Sequence, residues 1–150
     1  MKILFLIFHG FNASNGISKK IHYQIHAFQA NCQETHLCYL AEENGTKYRM
    51  LDDTVLANYG KGIKGKICKR IEFDSIRRYA IRHEINLVYL RSDHNANPFT
   101  LRLVRKMKKA GIHIVMEIPT YPYDQEYSSF SMKLNLFIDR CFRKQFAKHL

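Results

Sequence analysis

Residues 2–8 (Lys-Ile-Leu-Phe-Leu-Ile-Phe) form an almost unbroken apolar run, the pattern of a strand buried on both faces. A Gly/Asn/Ser-rich loop over 9–16 follows, and then Ile21, Ile25 and Phe28 recur at helical spacing across 17–28. The opening therefore reads as strand, loop and amphipathic helix. Residues 34–40 read as a second strand. Segments 47–51 and 54–57, separated by Asp52-Asp53, read as a short hairpin. Ile63, Ile67, Ile71, Ile76, Ala80 and His83 predict a helix over 63–83, and 86–91 predict a strand. Asn97 caps the next helix, with Pro98 at its first position and Leu103, Val104, Met107 and Ala110 as its buried stripe, and Gly111 closes it. A strand over 112–118, a loop over 119–126 and a helix from about 128 to the end complete the chain.

Strands alternating with helices predict an α/β fold, a Rossmann-like doubly wound and mostly parallel sheet, as one domain over residues 1–150. The last helix carries Leu134, Phe137, Ile138, Cys141, Phe142 and Phe146 and stops without a breaker or polar tail. A βαβ order leads to a further strand there. The expectation is a front part of a longer protein, or a truncated form of it.

Composition narrows the class. With 150 residues and 46% hydrophobic content the chain has material for a real core. The longest apolar run, 3–8, is too short to span a bilayer and lacks a small-residue cleavage site behind it. Cys32, Cys38, Cys68 and Cys141 form no metal-type spacing and read as reduced, mostly buried thiols of a cytosolic protein. The net charge is +11, and residues 61–150 hold the whole excess. Two clusters dominate: Lys61, Lys64, Lys66, Lys69, Arg70, and Arg102, Arg105, Lys106, Lys108, Lys109. They favour nucleic acid, phosphates or an anionic membrane, against the plainer alternative of solvated helix faces.

Three motifs are discounted. Residues 60–65 match G-x-G-x-x-G and, with Lys66, nearly a P-loop, but Ile67 stands where a magnesium-binding hydroxyl belongs, and 55–59 is a poor preceding strand. A flexible basic loop accounts for them. His22 and His26 lie four apart, but Tyr23 replaces the Glu of the metalloprotease pattern, so they read as surface histidines flanking the buried stripe; no metal is expected.

Two loops carry the candidate chemistry. At the first, Asn15 and Gly16 open a helix, whose free N–H groups and dipole suit a phosphate at the carboxyl end of a strand. The second gathers Glu117, Thr120, Tyr121, Tyr123, Asp124 and Glu126 with two prolines. Carboxylates and aromatic rings suit polyhydroxylated ligands, while a rigid turn with packed tyrosines is the alternative. The loop after 86–91 opens on the same edge, where Arg91 and His94 suit anionic or hydroxyl groups, unless Arg91 and Asp93 form only a local ion pair.

The opening strand, the 15–21 helix start (Asn-Gly-Ile-Ser-Lys-Lys-Ile), the 88–91 and 97–99 segments and the stretch 115–126 (Val-Met-Glu-Ile-Pro-Thr-Tyr-Pro-Tyr-Asp-Gln-Glu) together resemble the amino-terminal domain of bacterial family-4-type glycosyltransferases of GT-B architecture. The resemblance runs through essentially the whole chain and lies in the order and spacing of these segments. It implies two Rossmann-like domains facing a cleft, with the acceptor on the amino-terminal one and the nucleotide-sugar and a paired-glutamate motif on a second domain not present here. It implies sugar transfer with retention of configuration, no cofactor besides the nucleotide-sugar substrate, and a glycan or lipid-linked acceptor. It also brings the Gly16 loop to the donor diphosphate. Many relatives carry a histidine after the strand matching 112–118; Pro119-Thr120 stand there, so no catalytic residue carries over.

The expected setting is the cytoplasm, peripheral at the inner face of the cell membrane, with the basic clusters near anionic lipid. The rivals are a non-catalytic Rossmann-like module binding nucleotides or anions, and a nucleic-acid-binding protein. The second is disfavoured because no helix-turn-helix, zinc-finger or RRM signature is present.

Overall fold

The structure is a computed structural model in which residues 1–12, 15–31, 33–91, 96–118 and 129–150 are described. The apolar opening forms β1 (Lys2–Gly10), with Ile3 to Ile7 wholly buried. Alternate side chains serve opposite faces, as the two-residue period of a strand requires. Leu4 and Leu6 join one core and Phe5 and Ile7 the other. The loop leads to α1 (Gly16–Ala30), which packs Ile21 and Ile25 on the Phe5–Ile7 face.

β2 (Glu34–Glu43) pairs parallel with β1. β3 (Thr46–Leu51) and β4 (Thr54–Lys61) then extend the sheet antiparallel. The 47–57 hairpin is therefore present, but β2 is longer than expected and enters a second hairpin. The joint is Asn44-Gly45, both at positive φ (48° and 77°), the residues a tight two-residue turn favours. This Asn-Gly pair was the overlooked signal. After α2 (Gly62–Ile71) and α3 (Asp74–Arg82), β5 (Leu87–Arg91) returns to the other side of β1; α4 (Pro98–Lys109), β6 (His113–Glu117) and α5 (Phe130–Ala147) follow. The sheet order is β4-β3-β2-β1-β5-β6. The sheet is mixed: the expected parallel pairing holds through the β2-β1-β5-β6 core, and β3 and β4 add an antiparallel flank. α3, α4 and α5 cover the face opposite α1, through Ile76, Ala80, Leu101, Val104, Met107 and Phe146. The architecture is α/β, compatible with a Rossmann-like arrangement. Among the described residues no helix is long and apolar enough to cross a membrane.

Local chemistry explains the helix ends. Asn97 Oδ1 accepts from the Phe99 and Thr100 amides, and Thr100 Oγ1 accepts from the Asn97 amide, a reciprocal capping box with Pro98 beside it. Gly111, at φ 80°, follows the end of α4. The predicted single helix over 63–83 is in fact two. Glu72 accepts from the Ser75 amide and hydroxyl at 2.9 and 2.8 Å and so starts α3 afresh, while Phe73 turns into the core. The apolar spacing breaks there, from Ile71 to Ile76, a step of five that one continuous helix does not make. Moreover, Ile63, Ile67 and Ile71 face solvent, at 76%, 52% and 42% exposure. The buried side of α2 carries Gly65 instead.

The 60–65 glycines are not a loose loop. Gly60 and Lys61 end β4, and α2 begins at Gly62. Gly60 and Gly62 take positive φ, and a Cβ on Gly65 would run into the Gly60 carbonyl oxygen. These glycines let a helix fold back tightly onto its own strand. The cysteine expectation also needs correction: Cys38 is buried, with burial pushing its thiol up to about 12, but Cys68 is half-buried and Cys141 exposed. Cys32 lies outside the described residues.

Because the atom facing Gly65 is backbone, Gly65→Ala cannot be relieved by a side-chain rotation. It should cost about 1–3 kcal/mol of stability, the usual range for overpacking, seen as a lower urea midpoint with an unchanged m-value. An unaltered midpoint would show that the α2–β4 junction yields freely.

Candidate functional site

The chain moves outward from β1 to β2 and later returns past β1 to β5, so the strand order reverses between β1 and β5. In open α/β sheets ligands bind at the carboxyl ends of strands beside such a reversal. α1 lies over this edge. Asn15 caps it, its Oδ1 accepting from the Ile17 amide at 2.8 Å, and Gly16 is its first residue. Gly16 does not take positive φ, and among the described residues nothing lies within 4 Å of where its Cβ would be. Among the described residues neither backbone conformation nor packing requires glycine there. Ser18, buried in the first turn, accepts from the Asn12 amide at 3.0 Å and so links the end of the β1 segment to α1.

Gly16, Lys20 and Gln24 are spaced four apart and share one helical face. That face leads to the ends of β5 and β6, where register sets Arg91 opposite Glu117. Arg91 Nη1 lies 3.3 Å from Glu117 Oε1 and donates to Gln24 Oε1 at 2.9 Å. Glu117 Oε2 accepts from Gln24 Nε2 and from the Tyr89 hydroxyl, both at 3.1 Å, and Lys20 Nζ lies 3.6 Å from Oε1. Burial, followed by the Glu117 charge, pushes the Tyr89 phenol above its usual range, which keeps it a donor. Glu117 is thus a carboxylate held by four neighbours at the carboxyl edge of the sheet. Such an acceptor, rigid and still partly open, suits ligand hydroxyls.

Of the sequence-derived candidates, the structure pairs Arg91 with Glu117 and sets Asn15 and Gly16 at the start of α1, the helix whose Lys20 and Gln24 reach Glu117. His94, Thr120, Tyr121, Tyr123, Asp124 and Glu126 lie outside the described residues, as does Asp93, the proposed local partner of Arg91. Arg91 is paired with Glu117 across the sheet. Lys20, Gln24 and Tyr89 were missed, although the Gly16–Lys20–Gln24 spacing was a readable signal. His22 and His26 are exposed, as expected, and their Nε2 atoms approach to 2.9 Å. Among the described residues no group of three or more His, Cys, Asp or Glu is placed to hold a metal ion.

Comparison with protein-family models, curated proteins and solved structures finds no match to this chain. The site is therefore read from its own geometry.

Removing one partner of a well-buried ion pair leaves the other charge stranded, so the two losses should not add. A double-mutant cycle over Arg91→Ala and Glu117→Ala, measured by urea unfolding, should give a coupling of about 1–3 kcal/mol. Additive losses would mean that the two side chains act independently.

Proposed function

We propose that this chain is the acceptor-side domain of a nucleotide-sugar-dependent glycosyltransferase with Rossmann-like architecture. It would serve a glycan or lipid-linked acceptor and transfer sugar with retention of configuration. The observation that carries this reading is the shared face of α1, where a helix start at Gly16 that no described residue crowds is followed by Lys20, Gln24 and the held Glu117 carboxylate. A diphosphate is favoured at such a helix start by free N–H groups and the dipole. Hydroxyls of a sugar or acceptor are favoured at the Glu117 end. The reading requires a donor-binding domain, supplied by the same polypeptide or by another, and assigns no catalytic residue to this half. The nucleotide-sugar enters as substrate rather than cofactor.

The proposed setting is the inner face of the cell membrane. Exposed Ile63 and Ile67 on α2 stand among Lys61, Lys64 and Lys66, an apolar and cationic combination suited to anionic lipid. The second basic cluster is less free to serve. Lys106 lies 3.8 Å from Asp74, and Lys108 donates to the Lys148 carbonyl.

The chain alone should bind UDP or GDP only weakly by calorimetry and transfer no sugar. Complemented by a donor domain, Gly16→Val should abolish most transfer while circular dichroism stays unchanged. Full activity in that variant would overturn the placement of a donor phosphate at Gly16, and micromolar nucleotide binding by the chain alone would favour the non-catalytic nucleotide-binding module instead.

Vesicle sedimentation checks the membrane setting. Binding to anionic vesicles should weaken with salt and with Lys61→Glu/Lys64→Glu, each basic residue contributing about 1 kcal/mol. Equal binding to neutral vesicles would remove the electrostatic part of this reading.

A further inference from the structure

On the sheet face opposite α1, a pocket of about 540 Å³ opens between α2, the start of α4 and α5. Phe8, Leu40 and Phe73 form part of its wall, and Lys66, Lys69 and Arg70 line it. Among the described residues no carboxylate side chain lines it. Burial, followed by the charges of Lys47 and Arg70, holds the Lys69 ammonium below its usual range.

Behind that wall lies Arg49. It is wholly buried, the largest side chain to be so among the described residues. Leu40 is its ladder partner, and its guanidinium carbon lies 6.0 Å from the centre of the Phe8 ring. Nη1 donates to the Ile7 carbonyl at 3.0 Å and Nε donates to the Tyr59 hydroxyl at 3.4 Å. Nη2 has no hydrogen-bond partner, and no carboxylate stands within ion-pair distance among the described residues. An interior guanidinium with no counter-charge is costly, and the low dielectric around it carries its field further than water would. An anion in the adjoining pocket would offset that cost. The neighbouring apolar surface adds a second requirement. Ile67, Ile71 and Phe99 line the same pocket and are 52%, 42% and 45% exposed. A small hydrated anion would leave them wet.

We infer that this pocket binds a phosphate group carried on an apolar chain, with Lys66, Lys69 and Arg70 at the phosphate, Arg49 supplying buried positive charge behind Phe8, and Ile67, Ile71 and Phe99 along the chain. This deepens the acceptor-side reading by naming the acceptor's chemistry, and it rests on that reading only for the ligand's role.

The test is amide-resolved NMR titration of the 150-residue chain with decyl phosphate below its micellar threshold, inorganic phosphate, and decyl maltoside as a neutral amphiphile. Decyl phosphate should shift Phe8, Leu40, Ile67 and Phe99 saturably, inorganic phosphate should bind at least tenfold more weakly, and decyl maltoside should leave these amides unmoved. Arg49→Met and, separately, Lys69→Gln/Arg70→Gln should each weaken decyl phosphate binding about tenfold. If Arg49→Met does not fold, the surface double variant carries the test. Equal binding of the two decyl compounds, or unchanged affinity in the double variant, would overturn the inference. Inorganic phosphate binding as tightly as decyl phosphate would overturn the apolar carrier. Unchanged affinity in folded Arg49→Met would overturn the role of Arg49. Absence of sugar transfer in the complemented enzyme would overturn the acceptor-side reading while leaving a positive titration standing, so the two failures are distinguishable.

Discussion

Everything in this molecule is arranged around a strand that meets no water over five consecutive residues. Ile3 to Ile7 of β1 are wholly buried, and neighbouring side chains point to opposite faces. Burying a large aliphatic or aromatic side chain contributes about 1.5–3 kcal/mol, so β1 is stable only if both faces are covered. α1 supplies one cover, and α3, α4 and α5 supply the other. β1 must also be paired on both edges, by β2 and β5, and that two-sided pairing creates the reversal of strand order at its carboxyl end. The position of the candidate site is therefore a consequence of how the central strand is buried.

Two buried arginines show opposite solutions to one electrostatic problem. Arg91 is 5% exposed and lies against Glu117, which Tyr89, Gln24 and Lys20 also hold. Its charge is matched within the protein. Arg49 is more deeply buried and, among the described residues, has only neutral acceptors, with one nitrogen unpartnered. The first arrangement makes a rigid edge to the sheet. The second stores unmatched positive charge behind a pocket that already carries three cationic side chains.

The antiparallel flank is what brings Arg49 there. β3 is two strands away from β1, yet the Arg49 side chain reaches across β2 to the Ile7 carbonyl. Glycines at the next junction let α2 close over the same region, since a side chain at Gly65 would strike the Gly60 carbonyl. The exposed isoleucines of α2 follow from this tight docking, because the face that meets the sheet is the one with the glycine.

By itself the sequence determined the elements whose causes are local. The apolar run of β1, the α1 stripe of Ile21 and Ile25, the Asn97-Pro98 cap and the Gly111 stop each act within a few residues, and each appears in the structure. The Asn44-Gly45 turn and the five-residue step from Ile71 to Ile76 were equally local and readable, although the longer apolar pattern masked them. Asn15 and Gly16 could be named because a helix start after a buried strand is a local pattern. Arg91 and Glu117 could be named singly, but only strand register made them a pair, since ladder alignment depends on how β5 and β6 lie together. Ile63, Ile67 and Ile71 show the limit most plainly: spacing reveals that a helix has an apolar face, not which way that face turns. Arg49 could not be distinguished from any surface arginine, because burial of a charge is decided by the strands and helices that close around it.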